Sequence, residues 1–400
     1  MTENHNLLLC KNAGDQLEGR RGGIMRTTEG KPTVDIQAYG DKELAEKLGM
    51  AVAAVEVPER YAHGFHTYPA SLHPDAAKDL IGLFGGKTAL DPFVGGGTTL
   101  VEARAAGMQT YGHDASPVAV RVARARTATP SDEVLTKFRR SSRDFTATAR
   151  AAGRRDCWPE DWRLDEIGDW YGVDALIELE SLRRDIQEAD PAVRFLLEAA
   201  FSSILVKVSW RKSDTSQQRV VHRRPRGTTA VLFHKKCREL ARKLTEYREA
   251  VPEGTDTAKI SLCDARRLPS SGPGIDLAIT SPPYPATYDY LPLQHLREVW
   301  FNARADRAME LGARRDWRRG GKRAEKLWRT DTHDWTAAVA RRLNKRGVML
   351  VVIGDGRTPA GEIDALRPTI DAGSDAGLKL MAAASLRRPD HAHEGWRWEH

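Results

Sequence analysis

The run Asp91-Pro92-Phe93-Val94-Gly95-Gly96-Gly97-Thr98-Thr99 constrains this chain more than any other segment. It lies where a short apolar run, Thr88-Ala89-Leu90, gives way to helical spacing from Thr98 to Ala106 that Gly107 stops. Three glycines let the backbone turn sharply and approach a ligand where a Cβ would block it. Amides at the start of the following helix favour anionic or polar ligand groups. A second strand, Gln109 to His113, ends at Asp114, and Ser116-Pro117 opens a further helix. Strand, helix, strand, helix predicts a parallel sheet covered by helices.

Asp114 follows Asp91 by 23 positions, and an acid there can accept hydrogen bonds from both hydroxyls of a ribose. Leu100 stands where a dinucleotide-binding loop would have its third glycine, and no Gly-Lys-Ser/Thr follows as in a P-loop. What remains is a nucleoside with a non-phosphate tail, the form of S-adenosylmethionine. A glycine turn that only reverses the chain is the alternative.

The alternation halts after about residue 128. Residues 129–251 show helical spacing (Leu176, Leu179, Leu182; Phe195, Leu196, Ala199) and no convincing strand pair. Strand signals resume at Lys259 to Leu262, Ile275 to Ile279 and Val348 to Ile353. The expected organisation is an N-terminal extension over 1–60, a cofactor-binding half over 61–128, a helical basic insertion over 129–251 and a catalytic half over 252–400. Trp158, Trp162 and Trp170, with Tyr171, are expected to pack in a core, Cys263 to be a buried strand residue, and Trp396 and Trp398 to close a sheet edge.

Ser281-Pro282-Pro283-Tyr284 follows the strand Ile275 to Thr280. Two prolines cannot extend that strand, and they fix the turn in one shape at its C-terminal end, the ligand-binding edge of an open α/β sheet. An exocyclic amino group on a base is a poor nucleophile because its lone pair is delocalised into the ring. The Ser281 hydroxyl and the Pro282 carbonyl can accept its two hydrogens and direct the lone pair at a methyl group, while Tyr284 stacks on the base. Cytosine-C5 chemistry is disfavoured, since it needs a thiolate and no cysteine follows a proline.

On these segments the chain resembles the amino-group DNA methyltransferases that use S-adenosylmethionine. Asp91, Pro92, Phe93, Gly95, Gly97, Thr98 and Thr99 match that family's cofactor loop, Asp114 its ribose-binding acid, and Ser281, Pro282, Pro283 and Tyr284 its catalytic tetrapeptide. His66-Thr67-Tyr68-Pro69-Ala70 resembles the N-terminal cofactor segment, in which Tyr68 and Pro69 would close over the methionine part. Cys263-Asp264-Ala265-Arg266 resembles the segment whose acid, here Asp264, contacts the adenine amino group. The resemblance covers about 60–125 and 255–390. It implies a Rossmann-like class I methyltransferase sheet with helices on both faces, no metal, and methyl transfer to cytosine N4, with adenine N6, in DNA or RNA, as the alternative. The chain departs from the family pattern in that its insertion separates the two halves. The resemblance also suggests a self-marking system with a partner restriction endonuclease or another defence component.

Charge indicates where nucleic acid would lie. The chain carries 62 Lys and Arg against 55 Asp and Glu, a net +7, yet Lys207 to Lys243 alone holds twelve basic residues against Asp214 and Glu239. Such concentration is the footprint of a phosphate-backbone binder. Arg211, Lys212, Arg219, Arg223, Arg224 and Arg226 are the candidate contacts to double-stranded DNA, on a segment that reads as a loop around Pro225. Arg304 to Arg329 is a second basic stretch, ten against four, carrying Trp317 and Trp328. Other readings are a protein-amide methyltransferase, which two basic stretches argue against, and a catalytically silent nucleic-acid-binding module. Cys10, Cys157, Cys237 and Cys263 form no Cys-x-x-Cys pair, and no apolar run approaches a membrane span, so a reducing cytoplasm is expected.

Overall fold

The computed structural model describes residues 5–10, 36–53, 58–69, 71–389 and 396–399. The expected extension over 1–60 therefore lies partly outside the described residues. Among the described residues, one sheet contains β1 (His5–Cys10), β2 (Ile36–Gly40), β3 (Thr88–Asp91), β4 (Gln109–Asp114), β5 (Lys259–Leu262), β6 (Ile275–Thr280), β7 (Leu343–Val352), β8 (Leu378–Pro389) and β9 (Trp396–Glu399). Their order is β9-β8-β1-β7-β6-β3-β4-β5. From β8 to β5 the neighbours are parallel, while β2 and β9 both pair antiparallel with β8. Segments of the first sixty residues thus belong to the sheet; their short apolar runs carry too little periodicity to be read as strands.

The strand order sets the site. From β3 the chain steps outward through β4 and β5, then crosses to the other side of β3 for β6 and β7. The reversal between β3 and β6 opens a crevice at their C-terminal ends. Both the glycine-rich run and the tetrapeptide begin there.

Among the described residues, four helices lie in the first half: α1 (Lys42–Val52), α2 (Pro74–Phe84), α3 (Thr98–Ala105) and α4 (Pro117–Arg126). Between α4 and β5 come α5 (Asp132–Ala151), α6 (Asp161–Ile167), α7 (Val173–Glu188), α8 (Pro191–Val208) and α9 (Thr228–Ala250). After β6 follow α10 (Tyr290–Phe301), α11 (Arg314–Ala340) and α12 (Leu366–Asp375). Local chemistry sets several ends. Gly107, at φ +79°, closes α3 with its amide on the Arg104 carbonyl and the Met108 amide on that of Ala103. Ser116 caps α4, and Pro117 takes its first position.

Strand alternation sorts the core onto two faces. Leu277, Ile279, Leu350 and Val352 pack with Leu48, Leu80 and Ala103 of α1, α2 and α3. Ala278, Met349 and Val351 pack with Trp335, Val339 and Leu366 of α11 and α12. A third core joins α5, α7, α8 and α9 around Phe138, Leu179, Phe201 and Phe233. Trp300 of α10 enters it edge-on to Tyr171 and Phe201, with ring centroids 5.9 and 6.0 Å away. The helical segment is therefore wedged against the sheet half that carries the tetrapeptide.

Three expectations are corrected. The helical segment contains a hairpin, Arg211–Ser213 with Ser216–Arg219, too short and polar to be seen by periodicity. Trp158 and Trp170 pack partly buried against the helical core, but Trp162 is exposed under the Arg163 guanidinium, 4.5 Å from its ring. Cys263 lies just past β5 and is half-buried.

Candidate active site

Asp91 ends β3 and is buried. One carboxylate oxygen, Oδ1, accepts from the amide of Phe93 at 3.1 Å and from the Thr280 hydroxyl at 2.7 Å. Thr280 is the last residue of β6, directly before Ser281. The glycine-rich run and the tetrapeptide are thereby tied together across adjacent strands. Asp114, ending β4, accepts from the amides of Gly95 and Ser116, both at 2.8 Å. That bridge fixes the second acid against the loop. Burial pushes both carboxyls up to about 6, and for Asp114 the neighbouring Asp91 adds to the rise.

The glycines are where close approach requires them. Gly95 and Gly97 have φ of +48° and +84°. A Cβ on Gly96 would stand 2.5 Å from the Arg126 Nη1, and one on Gly97 would press on Ala123 at 3.0 Å. The loop therefore lies flat on α4, with α3 starting from Gly97.

One cleft is lined by Tyr68 and Pro69, by Asp91, Pro92, Phe93 and Gly95, by Thr98 and Thr99, by Asp114 and Asp264, and by Ser281, Pro282 and Pro283. Gly97 is behind this wall. Tyr284, 5% exposed, lines an adjoining cavity that shares Tyr68, Thr98 and Ser281 with the cleft. The Ser281 hydroxyl donates to the Tyr284 hydroxyl at 3.4 Å, and the Tyr284 amide to the Tyr290 hydroxyl at 3.2 Å. Just past the tetrapeptide, Ala286 holds φ +55°, a conformation costing about 1–3 kcal/mol in a non-glycine residue. Its amide is held by the Gly312 carbonyl at 3.0 Å.

Sequence reading missed other lining residues. Tyr290, Leu291 and Gln294 come from the start of α10, and Met309, Glu310 and Leu311 from the loop before α11. The i, i+4 placement of Tyr290 and Gln294 after the tetrapeptide was the available signal. Asp264 is 8% exposed and is occupied by Arg266, whose Nη2 donates to it at 2.7 Å; Arg266 also pairs with Asp331 at 2.7 Å. Burial works against ionisation of Asp264, but the Arg266 bonds outweigh it and hold the carboxyl below the usual range.

The basic candidates divide. Arg211 is buried, with its guanidinium donating to the carbonyls of Ser216 at 2.6 Å and Leu293 at 2.8 Å, so it is turned inward and pins the hairpin to α10 rather than facing solvent. Lys212, Arg219 and Arg223 are exposed, and Arg219 lies over the Trp210 ring at 4.8 Å. Arg224 and Arg226 are exposed but donate to the carbonyls of Lys207 at 2.5 Å and Ala152 at 2.6 Å, fastening the loop. In the second stretch, Trp317 and Trp328 are buried in the core cluster that includes Tyr284. Leu293 precedes Gln294 of the cleft wall, so Arg211 ties the basic hairpin to the helix that supplies that wall. Among the described residues, no His, Cys, Asp and Glu group is arranged to hold a metal ion, and no helix is long and apolar enough to cross a membrane.

No family model matches the chain. It is 27% identical over 268 residues to a Type II methyltransferase, M.MvaI, from Kocuria varians. The match covers 61% of this chain and 58% of that protein's length. With the sheet order and the crevice between β3 and β6, this defines the architecture. The fold is a Rossmann-like methyltransferase fold.

Proposed function

We propose that this chain is an S-adenosylmethionine-dependent DNA methyltransferase acting on an exocyclic amino group, with cytosine N4 the favoured target. The observation that carries the reading is the Thr280–Asp91 hydrogen bond, which joins a glycine cradle to Ser281-Pro282-Pro283-Tyr284. Similarity to a Type II methyltransferase supports it.

The cleft fits the cofactor: bare glycine backbone faces Tyr68, and the buried acids Asp91 and Asp114 stand in the wall. Asp114 would accept from ribose hydroxyls through lone pairs its two amide bonds leave free. Tyr68 and Pro69 would cover the tail, and Asp264 with the loop before α11 would border the adenine. When bound, S-adenosylmethionine supplies an electrophilic methyl group on a sulfonium.

A paired amino group is inaccessible in a duplex, so the target base must leave the stack. Ser281 and the Pro282 carbonyl then accept from its amino hydrogens, Tyr284 stacks on the ring, and the strained turn holds these groups in place. Their contribution is positioning and stabilisation of the positive charge that develops on the amino nitrogen. Lys212, Arg219 and Arg223, on the hairpin and the loop after it, would neutralise phosphates.

The test is mass spectrometry of nucleosides from duplex DNA incubated with the protein and cofactor. N4-methylcytosine is expected. N6-methyladenine would move the target to adenine, and DNA left unmodified by a protein that binds it would favour the silent binding module.

A further inference from the structure

The hairpin and α11 are both fastened near the start of α10. Arg211 holds the hairpin to the Leu293 carbonyl at 2.8 Å. The Arg314 amide donates to the Tyr288 carbonyl at 3.1 Å, and the Arg315 amide to the Asp289 Oδ1 at 2.8 Å. Gly312, two residues before α11, reaches the tetrapeptide itself. A Cβ there would stand 3.3 Å from the Tyr284 carbonyl oxygen, and its own carbonyl holds the Ala286 amide. α11 therefore begins at the tetrapeptide turn.

Its two faces differ in kind. Trp317, Ala324, Trp328 and Trp335 pack into the same core as Tyr284, a helical spacing that fixes the inner face. Residues 314–329 hold eight Lys and Arg against two acids. Some of these charges are already matched. Arg314 and Arg315 face Asp289 at 3.9 and 3.6 Å, Arg315 also pairs with Glu310, and Arg329 pairs with Glu325 at 2.7 Å. Arg318, Lys322, Arg323 and Lys326 are exposed, and among the described residues they have no carboxylate partner. The helix is broken at Gly320, so Arg318 precedes the break and the other three share the longer segment after it. There Lys322 and Lys326 stand four apart, and Arg323 and Lys326 three apart, so like charges meet on one face and repel. A polyanion laid along this face removes that repulsion and sheds its own counterions.

We propose that the exposed face of α11 is a second phosphate-binding surface for the duplex, separate from the hairpin and its loop, with Arg318, Lys322, Arg323 and Lys326 as its contacts. This rests on the proposed function, which makes DNA the substrate and the tetrapeptide the dock for the target base. Charge alone does not select this face. Its start at the tetrapeptide turn does, because the strand that carries an extruded base has to pass beside that turn. Contacts of this kind position the duplex without reading its sequence.

Fluorescence anisotropy on the full chain with duplex DNA across a salt series tests this. Replacing Arg318, Lys322, Arg323 and Lys326 together with Gln should lower the slope of log affinity against log salt by about 3.5. A control removes equal charge at Lys87, Lys259, Lys345 and Arg346, exposed at or near the N-terminal ends of β3, β5 and β7, the edge opposite the crevice. Its slope should match that of the unaltered protein. In methyl-transfer kinetics the α11 variant should raise KM for DNA more than about tenfold, with kcat at saturating DNA kept within severalfold, the pattern of lost uniform binding. A slope unmoved by the α11 substitutions overturns the surface, and so does an equal fall in the control. A collapse of kcat at unchanged KM also overturns it, since the helix would then act only through the tetrapeptide turn. Failure of the unaltered protein to bind duplex DNA at any salt overturns the proposed function itself.

Discussion

The Thr280 hydroxyl donates to the Asp91 carboxylate at 2.7 Å, joining two residues 189 positions apart. Each ends a strand: Asp91 opens the glycine-rich run, and Thr280 immediately precedes the tetrapeptide. Because β3 and β6 are neighbours on either side of the reversal in strand order, one short bond aligns the glycine cradle with the tetrapeptide. Thr280→Val keeps the side chain's shape and removes the donor, leaving a buried carboxylate oxygen with one bond fewer. The expected cost is about 1–3 kcal/mol in denaturant unfolding, with weakened cofactor binding in calorimetry. Unchanged values for both would show that the two loops hold their relation without it.

Ser281→Ala and Tyr284→Ala act on the other side of that junction. Neither residue belongs to the glycine cradle, so cofactor affinity should persist while methyl transfer to DNA falls at least about a hundredfold, as for lost positioning and charge-stabilising groups. Radiolabel transfer and calorimetry on the same preparations separate the two effects. Equal loss of cofactor binding in both variants would undo the division of roles.

Proton linkage tests the acidic cleft. Burial raises Asp91 and Asp114 to about 6, well above their unfolded value of 3.8. The folded protein therefore binds more protons than the unfolded chain between those values, and the stability these groups contribute is lost as pH rises through 6. Cofactor binding should run the opposite way, because a sulfonium and ribose hydroxyls favour the ionised acids. At pH 6 binding should release up to about one proton, with affinity rising between pH 5 and 7. Calorimetry in buffers of different ionisation enthalpy reads this directly; proton uptake would exclude these acids as partners.

What could be read in advance followed from chemistry that is local in sequence. Gly95 to Gly97 between a strand and a helix, and Pro282-Pro283 after Thr280, each specify a backbone shape within a few residues. Asp114 was legible because it ends a recognisable strand. Arg211 was not: its composition matches that of Lys212, and only the fold shows that its guanidinium reaches the Leu293 carbonyl. Arg126 was equally hidden, as one of several arginines on α4, because its partners Gly96, His63 and His66 come together only in three dimensions. The cleft residues before α11 share that cause, since no periodic pattern marks a loop that closes over a site.

Trp300 is a stability hinge between the helical segment and the catalytic side of the sheet. It is 1% exposed, and its edge contacts to Tyr171 and Phe201 bridge α10 to the helical core. Trp300→Ala should cost about 3–5 kcal/mol in chemical denaturation, the range for a large aromatic removed from a packed core. A loss below about 1 kcal/mol would mean that the helical segment and the sheet are stabilised separately.

Salt dependence sorts the basic residues, which composition alone treats as equivalent. A side chain that neutralises one phosphate contributes about 0.9 to the slope of log affinity against log salt. Lys212, Arg219 and Arg223 are exposed on the hairpin and the loop after it, so replacing any of them with Gln should reduce that slope by about this amount. Arg211→Gln should leave the slope unaltered and act through stability, because its charge is turned toward backbone carbonyls inside the protein. Arg224 and Arg226 have both an exposed charge and a tether to the chain, so each substitution should lower the slope and loosen the loop, raising proteolytic cleavage between residues 219 and 227. Fluorescence anisotropy with duplex DNA across a salt series distinguishes the three classes. A slope unmoved by Lys212, Arg219 and Arg223 together would remove the hairpin and its loop from the DNA surface, and direct the search to the exposed basic face of α11.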